Sequence, residues 1–245
     1  MKLNYKALSD SLEIDIGKLR PKKSYKYLYD NRNHNLEQIL VDGSVPEDLL
    51  FEVNCHCCGK NEYTTLFLKD GFEVAECNHC SLVFVPKILG DDHYTETYAS
   101  ETYASVVAKL GFESHEYRKE RFGKERVAKI AEYLSIQRPE FLDVGCSTGF
   151  VVQAAVEKGW EARGIDLNNH AVQFGVRNHG IDLTSDSFFD VNESFDAIGM
   201  YDVLEHVTHP NEFLRQAKKL LNDGGIIHLY VPNWDSASRY ILSEN

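Results

Sequence analysis

The sequence has no apolar run of eighteen residues, and its start, MKLNYKALSD, lacks the apolar stretch of a signal peptide. We therefore expect neither membrane insertion nor secretion, and the sequence predicts a cytoplasmic protein. Basic residues are also scarce, with 26 lysines and arginines against 38 aspartates and glutamates and a net charge of −12. Non-specific binding to nucleic acid depends on basic residues that neutralise phosphates, so this charge disfavours a nucleic-acid partner.

The composition is that of a packed protein. Apolar residues make up 43% of the chain and aromatic residues 11%. A chain of 245 residues is long enough for one sizeable domain and a small additional module.

The segment FLDVGCSTGF, residues 141–150, is the most informative part of the sequence. It combines a short apolar run, a turn with two glycines and the start of a helical pattern. Gly145 and Gly149 permit positive φ angles and close approach of the backbone, and Ser147 or Thr148 can satisfy amide groups at the start of the helix. This pattern predicts a strand, a tight turn and a helix, which is the arrangement of a cofactor-binding loop.

The acidic residues around this loop indicate the charge of the ligand. Asp143, Asp166 and Asp186 fall at or just after the expected carboxyl ends of successive strands, where doubly wound sheets bind ligands. Their charge repels a pyrophosphate and attracts a cation. A nicotinamide cofactor is further disfavoured because Ser147 stands where the dinucleotide motif has its middle glycine. The alternative is that each aspartate only caps a helix.

From residue 116 to residue 235 the chain resembles the class I S-adenosylmethionine-dependent methyltransferases, whose first motif is similar to the run at 143–149. The resemblance implies a Rossmann-like, doubly wound, mostly parallel sheet. It also implies that Gly145 and Gly149 wrap the methionine part of the cofactor. In this interpretation Asp143 helps to hold the amino group through water, Asp166 binds the ribose hydroxyls and Asp186 binds the amino group of the adenine. The complete set of cofactor-binding residues that we infer is Asp143, Gly145, Cys146, Ser147, Gly149, Asp166, Leu167, Asp186, Ser187 and Tyr201.

The order of elements follows from the same region. Strands alternate with helical segments, which predicts an α/β fold with helices on both faces of a parallel sheet. We expect helices at about 115–134 and at 149–158, 168–179 and 210–222, and a fifth strand at 225–231. The family usually has seven strands, so we expect the C-terminal strands to be missing. We therefore expect either a fragment of a longer protein or a homo-oligomer that covers the edge of the fifth strand.

Four cysteines form a second motif, CxxC, eighteen intervening residues, CxxC. Cys55, Cys58, Cys77 and Cys80 predict one tetrahedral zinc ion in a small zinc ribbon, and four thiolates leave no open position, so the zinc is structural. Disulfides are the alternative, and Cys57 could replace Cys58 as a ligand. The motif resembles the N-terminal zinc modules of some bacterial methyltransferases, including those of sugar and polysaccharide loci. Some ribosomal-RNA methyltransferases also have such a module.

These motifs divide the chain into four parts. We interpret 1–50 as a helical cover, 51–90 as the zinc ribbon, 91–115 as a tyrosine-rich linker or lid, and 116–245 as the methyltransferase domain. The lid hypothesis depends on Tyr98, which could close over the active site. The alternative is that the tyrosines only pack against the protein.

His206 is the candidate general base, because it follows the fourth strand on the acceptor side and has a reference pKa near 6.5. Its alternative role is a local bond with Glu205 that holds the loop. The sequence thus predicts methyl transfer to a small molecule or a nucleotide sugar. The alternatives are a noncatalytic scaffold and a ribosomal-RNA methyltransferase.

Overall fold

The computed structural model describes residues 15–19, 24–90, 93 and 101–236. The proposed lid residue Tyr98 lies outside these residues. The first described elements are helices α1 (Ile16–Leu19) and α2 (Ser24–Ile39). The part that follows contains strands β1 (Leu50–Glu52), β2 (Tyr63–Lys69), β3 (Phe72–Cys77), β4 (Val83–Phe84) and β5 (Lys87–Leu89).

Residues 50–89 form the cysteine module. Strands β2, β3 and β4 make a three-stranded antiparallel sheet, and β1 pairs antiparallel with β5. The turn between β2 and β3 is Asp70-Gly71, with φ angles of 57° and 83°. Helix α2 contacts this module through an ion pair between Arg32 and Asp70. Ile39 at the end of α2 is buried with Leu89 of β5 in a small apolar cluster.

The larger part of the chain begins with helix α3 (Glu101–Arg118), which continues through a π-helical turn (Lys119–Gly123) into α4 (Lys124–Ala131). At Gly123 this helix approaches the next one closely, since an added Cβ would lie 2.8 Å from the carbonyl oxygen of Phe150. Strands and helices then alternate: β6 (Glu140–Val144), α5 (Phe150–Glu157), β7 (Glu161–Ile165), α6 (Asn169–His179), β8 (Asp182–Thr184), β9 (Phe195–Tyr201), α7 (Pro210–Leu220) and β10 (Leu221–Tyr230).

The five strands β6 to β10 form one parallel sheet in the order β10-β9-β6-β7-β8. The prediction of a Rossmann-like parallel sheet is therefore confirmed. Strand β6 lies at the centre, and the chain runs outward from it first through β7 to β8 and then through β9 to β10. This reversal places the ligand-binding crevice of an open α/β sheet at the carboxyl ends of β6 and its two neighbours.

Both faces of the sheet are covered by apolar side chains. Phe141 and Ala197 are buried on one face with residues of α4 and α5, whereas Leu142 and Ile198 are buried on the other with residues of α7. The alternation within each strand explains the continuous apolar runs that the sequence shows. Among the residues described, no helix combines the length and apolar character needed to cross a membrane.

Candidate functional site

The loop after β6 adopts the conformation that its glycines permit. Gly145, Ser147 and Gly149 have positive φ angles of 73°, 51° and 76°. The amides of Gly145 and Cys146 both donate to the carbonyl oxygen of Ile165, at 2.8 and 3.0 Å. The loop is thus fastened to the end of β7 and turns sharply into α5.

The packing around the loop explains two of its residues. A Cβ added at Gly149 would lie 2.5 Å from Cδ1 of Ile181 and 2.8 Å from Cδ1 of Leu183 in β8, so a larger residue would displace these side chains. Cys146 is buried, and its sulfur would lie 2.7 Å from a Cβ at Gly164 of β7. The thiol therefore belongs to the core, and only the main chain of Cys146 faces the loop.

Asp143 is the central acidic group of this site. It is 2% exposed, and its Oδ1 atom has no hydrogen-bond partner. Burial raises its pKa to about 8, which the positive charge of Arg126 opposes and the negative charge of Asp166 reinforces. A buried carboxyl group without a partner is costly unless a cation or a donor pairs with it.

Asp166, just after β7, holds the loop from the other side. Its Oδ2 accepts a hydrogen bond from the amide of Ser147 at 2.7 Å, and its Oδ1 accepts one from the amide of Asn168 at 2.8 Å. Burial raises the pKa of this carboxyl, and the two hydrogen bonds oppose that shift. Each oxygen keeps a second lone pair, so the group can also accept hydrogen bonds from hydroxyls. The next residue, Leu167, is 68% exposed.

The residues predicted near the adenine lie after β8. Asp186 is exposed at this position. Ser187 caps the short turn Phe188–Asp190, because its hydroxyl accepts the amide hydrogen of Phe189 at 3.3 Å. The structure thus gives Ser187 a local role and leaves the carboxylate of Asp186 at the surface.

Tyr201, the last residue of β9, is buried and folds back over Gly199, where an added Cβ would lie 2.7 Å from its ring. Its hydroxyl lies 3.0 Å from Nδ1 of His228 in β10. The guanidinium of Arg126 in α4 lies 4.2 Å from the centre of the Tyr201 ring, a cation–π distance. The sequence analysis missed Arg126, since one arginine on an amphipathic helix carries no local signal.

His206 ends a short turn, Leu204–His206, beyond β9. Its amide donates to the carbonyl oxygen of Val203 at 2.9 Å, and its side chain is exposed. Val203 lies over the glycine loop, because a Cβ added at Gly145 would come within 2.5 Å of its Cγ2 atom. The turn that carries His206 is therefore next to the loop.

Another contact that the sequence analysis missed supports the loop from α3. The ring of His115 is buried. Its Nδ1 atom lies 2.9 Å from Oγ1 of Thr148, and its Nε2 atom lies 2.7 Å from Oε1 of Gln153. Because the Gln153 oxygen only accepts, Nε2 carries the hydrogen and Nδ1 accepts the hydroxyl hydrogen of Thr148. His115 also stacks on His179, with ring centres 3.9 Å apart.

The four predicted metal ligands converge in the cysteine module. The sulfurs of Cys55 and Cys80 are 3.4 Å apart and those of Cys58 and Cys77 are 3.5 Å apart, and all four lie within 4.8 Å of one another. These separations approach the roughly 3.8 Å between sulfurs in a tetrahedral zinc site with Zn–S bonds of about 2.3 Å. They exceed the length of about 2.05 Å for an S–S bond, so all four thiols are free.

The clustered thiols differ in acidity: against hydrogen bonds from backbone amides, burial and neighbouring thiols raise the pKa values of Cys58 and Cys80, whereas the pKa of Cys77 is lowered. Backbone amides of His79 and Cys80 donate to the Cys77 sulfur, and the former contributes most to lowering the pKa of this thiol to about 6. Cys57 is exposed and lies outside the cluster, and His79 pairs with Glu62 at 2.7 Å. The donor set is therefore four thiols, which fits zinc.

Residues 114–243, more than half of the chain, match the family described as "Methyltransferase domain". The chain is similar to the ubiquinone biosynthesis O-methyltransferases of Pseudomonas entomophila (strain L48), with 28% identity, and of Pseudomonas putida (strain W619), with 29% identity. Each match covers 117 residues, 44% of this chain and 50% of the relative. The chain thus spans about half the length of these curated relatives.

The chain is also similar to solved structures of methyltransferases. The plantazolicin methyltransferase BpumL, solved with SAH, is 16% identical over 56% of each chain, with a TM-score of 0.45. An S-adenosylmethionine-dependent methyltransferase from Clostridium acetobutylicum ATCC 824 is 16% identical over 52% of this chain and 59% of that one, with a TM-score of 0.43. Together with the glycine loop, the two aspartates and the sheet order described above, the family match shows that this chain belongs to the methyltransferase-domain family.

Proposed function

We propose that this chain is an S-adenosylmethionine-dependent methyltransferase. The observation that carries the proposal is the carboxyl group of Asp143, which is buried beside the glycine loop with one oxygen atom unpartnered. A ligand with an ammonium group supplies the missing partner. The second acidic group, Asp166, has spare lone pairs for hydroxyls at the end of the neighbouring strand.

The residues of this site have separate tasks in the proposed reaction. The cofactor supplies a methyl group on a positively charged sulfur. Asp143 holds the ammonium end and Asp166 the ribose hydroxyls, while the main chain of the glycine loop lies along the ligand. The positive charge of Arg126 opposes the rise in the pKa of the buried Asp143 carboxyl and so favours its ionised form. Asp186 stays the proposed contact of the adenine, and Leu167 and Tyr201 stay proposed contacts of the cofactor.

The acceptor side is the turn that carries His206. We propose that His206 removes a proton from the acceptor, since the turn lies next to the glycine loop through Val203. The acceptor is proposed to be a small molecule or a nucleotide sugar. Two relatives act in ubiquinone biosynthesis by their names, which favours a small acceptor over a nucleic acid. The net charge of −12 favours the same choice.

Isothermal titration calorimetry with S-adenosylhomocysteine tests the proposal. We expect saturable binding by the wild type, no binding of NAD, and loss of binding by at least about tenfold in Asp143→Asn, which keeps the shape but cannot ionise to pair with an ammonium group. Asp182→Asn is the matched control, because Asp182 is an exposed aspartate at the start of β8. A wild type that is saturated by NAD and ignores S-adenosylhomocysteine would falsify the proposal. A protein that binds neither ligand would indicate a noncatalytic scaffold.

We further propose that the four cysteines bind one structural zinc ion. Metal analysis of protein purified without chelator should find about one equivalent of zinc. Cys58→Ser should lose the metal, whereas Cys57→Ser, the adjacent residue outside the cluster, should keep it. Equal zinc contents in the two variants would show that the ligand assignment is wrong. The cytoplasmic location, where thiols stay reduced, is part of this proposal.

A further inference from the structure

The cysteine module touches the larger domain at the start of α7, just after the loop that follows β9. The side-chain amide of Asn211 donates a hydrogen bond of 2.7 Å to the carbonyl oxygen of His56, a residue 155 positions away. His56 stands between Cys55 and Cys58, in a turn where the Gly59 amide donates to the Cys55 carbonyl at 2.8 Å. The His56 carbonyl therefore lies in the turn that connects two of the four clustered thiols.

A second contact lies at the neighbouring strand. Trp234, four residues beyond β10, stacks on Phe67 of β2 with ring centres 6.2 Å apart and planes inclined by 10°. The segments that follow β9 and β10 thus both contact the cysteine module. In a parallel sheet such segments surround the ligand crevice, so the module borders the crevice on the side of His206.

We propose that the cysteine module positions the loop of residues 202–211, with Asn211 as the positioning residue. Binding of zinc by Cys55 and Cys58 fixes the His56 carbonyl, and the hydrogen bond from Asn211 transmits that position to the start of α7. The importance of this loop for the acceptor rests on the proposed function, whereas the coupling between metal and loop does not. Zinc in the module then orders a loop of the methyltransferase domain.

The variant Asn211→Asp separates this contact from the stability of helix α7. Asn211 follows Pro210 in the first turn of α7, where a carboxylate stabilises a helix through its dipole. Aspartate has nearly the same shape but cannot donate to the His56 carbonyl. If the loop loosens in this variant, the cause is the lost hydrogen bond, because the helix itself gains stability. Asn211→Gln keeps the amide donor and serves as the conservative variant.

Hydrogen exchange of amides 203–213, followed by mass spectrometry in the zinc-loaded protein, measures the coupling. Asn211→Asp should raise the exchange rate about fivefold, the ratio expected for one neutral hydrogen bond, and Asn211→Gln should restore most of the protection. Removal of zinc from the wild type with a chelator should have the same effect on this segment. In Asn211→Asp, where the hydrogen bond is already lost, the chelator should raise the exchange rate of this segment little further.

Asn178→Asp is the matched control, since Asn178 makes the same kind of bond within α6, to the carbonyl of Phe174 at 3.0 Å. It should leave exchange at 203–213 unchanged. The proposal is overturned if Asn211→Asp exchanges like the wild type, if Asn211→Gln exchanges like Asn211→Asp, or if zinc removal leaves the segment protected. Calorimetry with S-adenosylhomocysteine on the same samples reports separately on the proposed function.

Discussion

At the scale of single residues, the burial of the Asp143 carboxyl carries a cost in stability. Its carboxyl group has a pKa of about 8 in the folded protein, whereas an unfolded aspartate has a pKa of about 3.9. Between these values the folded state keeps a proton that the unfolded state has released. The contribution of Asp143 to the free energy of unfolding therefore falls as the pH rises from about 4 to about 8.

Replacing this carboxyl should consequently stabilise the ligand-free protein. We expect Asp143→Asn to raise the free energy of unfolding relative to the wild type by an amount that grows from pH 5 to pH 8 by about 2 kcal/mol or more. Thermal or urea unfolding at four pH values measures the difference, with Asp182→Asn as control. Parallel stability curves for wild type and variant would show that Asp143 ionises normally in the folded state.

At the scale of elements, the glycine loop is held by its neighbours as well as by its own bond from the Gly149 amide to the Cys146 carbonyl. Ile165 and Asp166 at the end of β7 accept its amide hydrogens, and His115 of α3 accepts the hydroxyl hydrogen of Thr148. The loop therefore depends on a helix about thirty residues earlier in the chain. Removal of that support should affect stability and cofactor binding together.

We expect His115→Ala to lower the free energy of unfolding by about 2–4 kcal/mol at pH 7.5, because Thr148 and Gln153 lose a buried partner and a cavity remains. Burial lowers the pKa of His115, so its contribution is present above about pH 6.5 and is lost as the pH falls below that value. Urea unfolding at several pH values tests both effects. His170→Ala, at an exposed position of α6, is the control. A loss in His115→Ala no larger than in the control would refute the role of the network.

At the scale of the whole molecule, the edge of the sheet at β10 is the surface that bears on the predicted assembly. In the part of the chain that the structure describes, β10 pairs with β9 on one side only. Leu229, Tyr230 and Val231 at this edge are 41%, 58% and 46% exposed. An exposed apolar edge strand favours association with another chain. The homo-oligomer expected from the sequence stays a prediction. Its proposed interface is the edge that carries Leu229, Tyr230 and Val231.

Light scattering coupled to size exclusion tests the assembly. We expect the mass of the wild type to exceed that of a monomer as its concentration rises, and Leu229→Lys to restore the monomer by placing a charge at the edge. Val156→Lys is the matched control, because Val156 is 45% exposed on α5. A wild type that is monomeric at every concentration would rule out this surface as an interface.

Much of the fold was predictable because it depends on local pattern. The helices expected at 149–158, 168–179 and 210–222 are observed at Phe150–Glu157, Asn169–His179 and Pro210–Leu220. The helix expected from about 115 to 134 is instead a longer one that begins at Glu101 and passes through a π-helical turn. The four-part division of the chain and the roles of the site residues stay predictions.

The amino-acid sequence by itself determined the order of strands and helices, the glycine loop with Asp143 and Asp166 at its sides, and the four cysteines of one cluster. These features are local, since periodicity, turn residues and CxxC spacing act over a few residues. Only the tertiary structure decided that Arg126 lies on Tyr201, that His115 holds Thr148, and that Asn211 meets His56. Each of these pairs is far apart in sequence, and packing of the sheet and its helices brings the partners together.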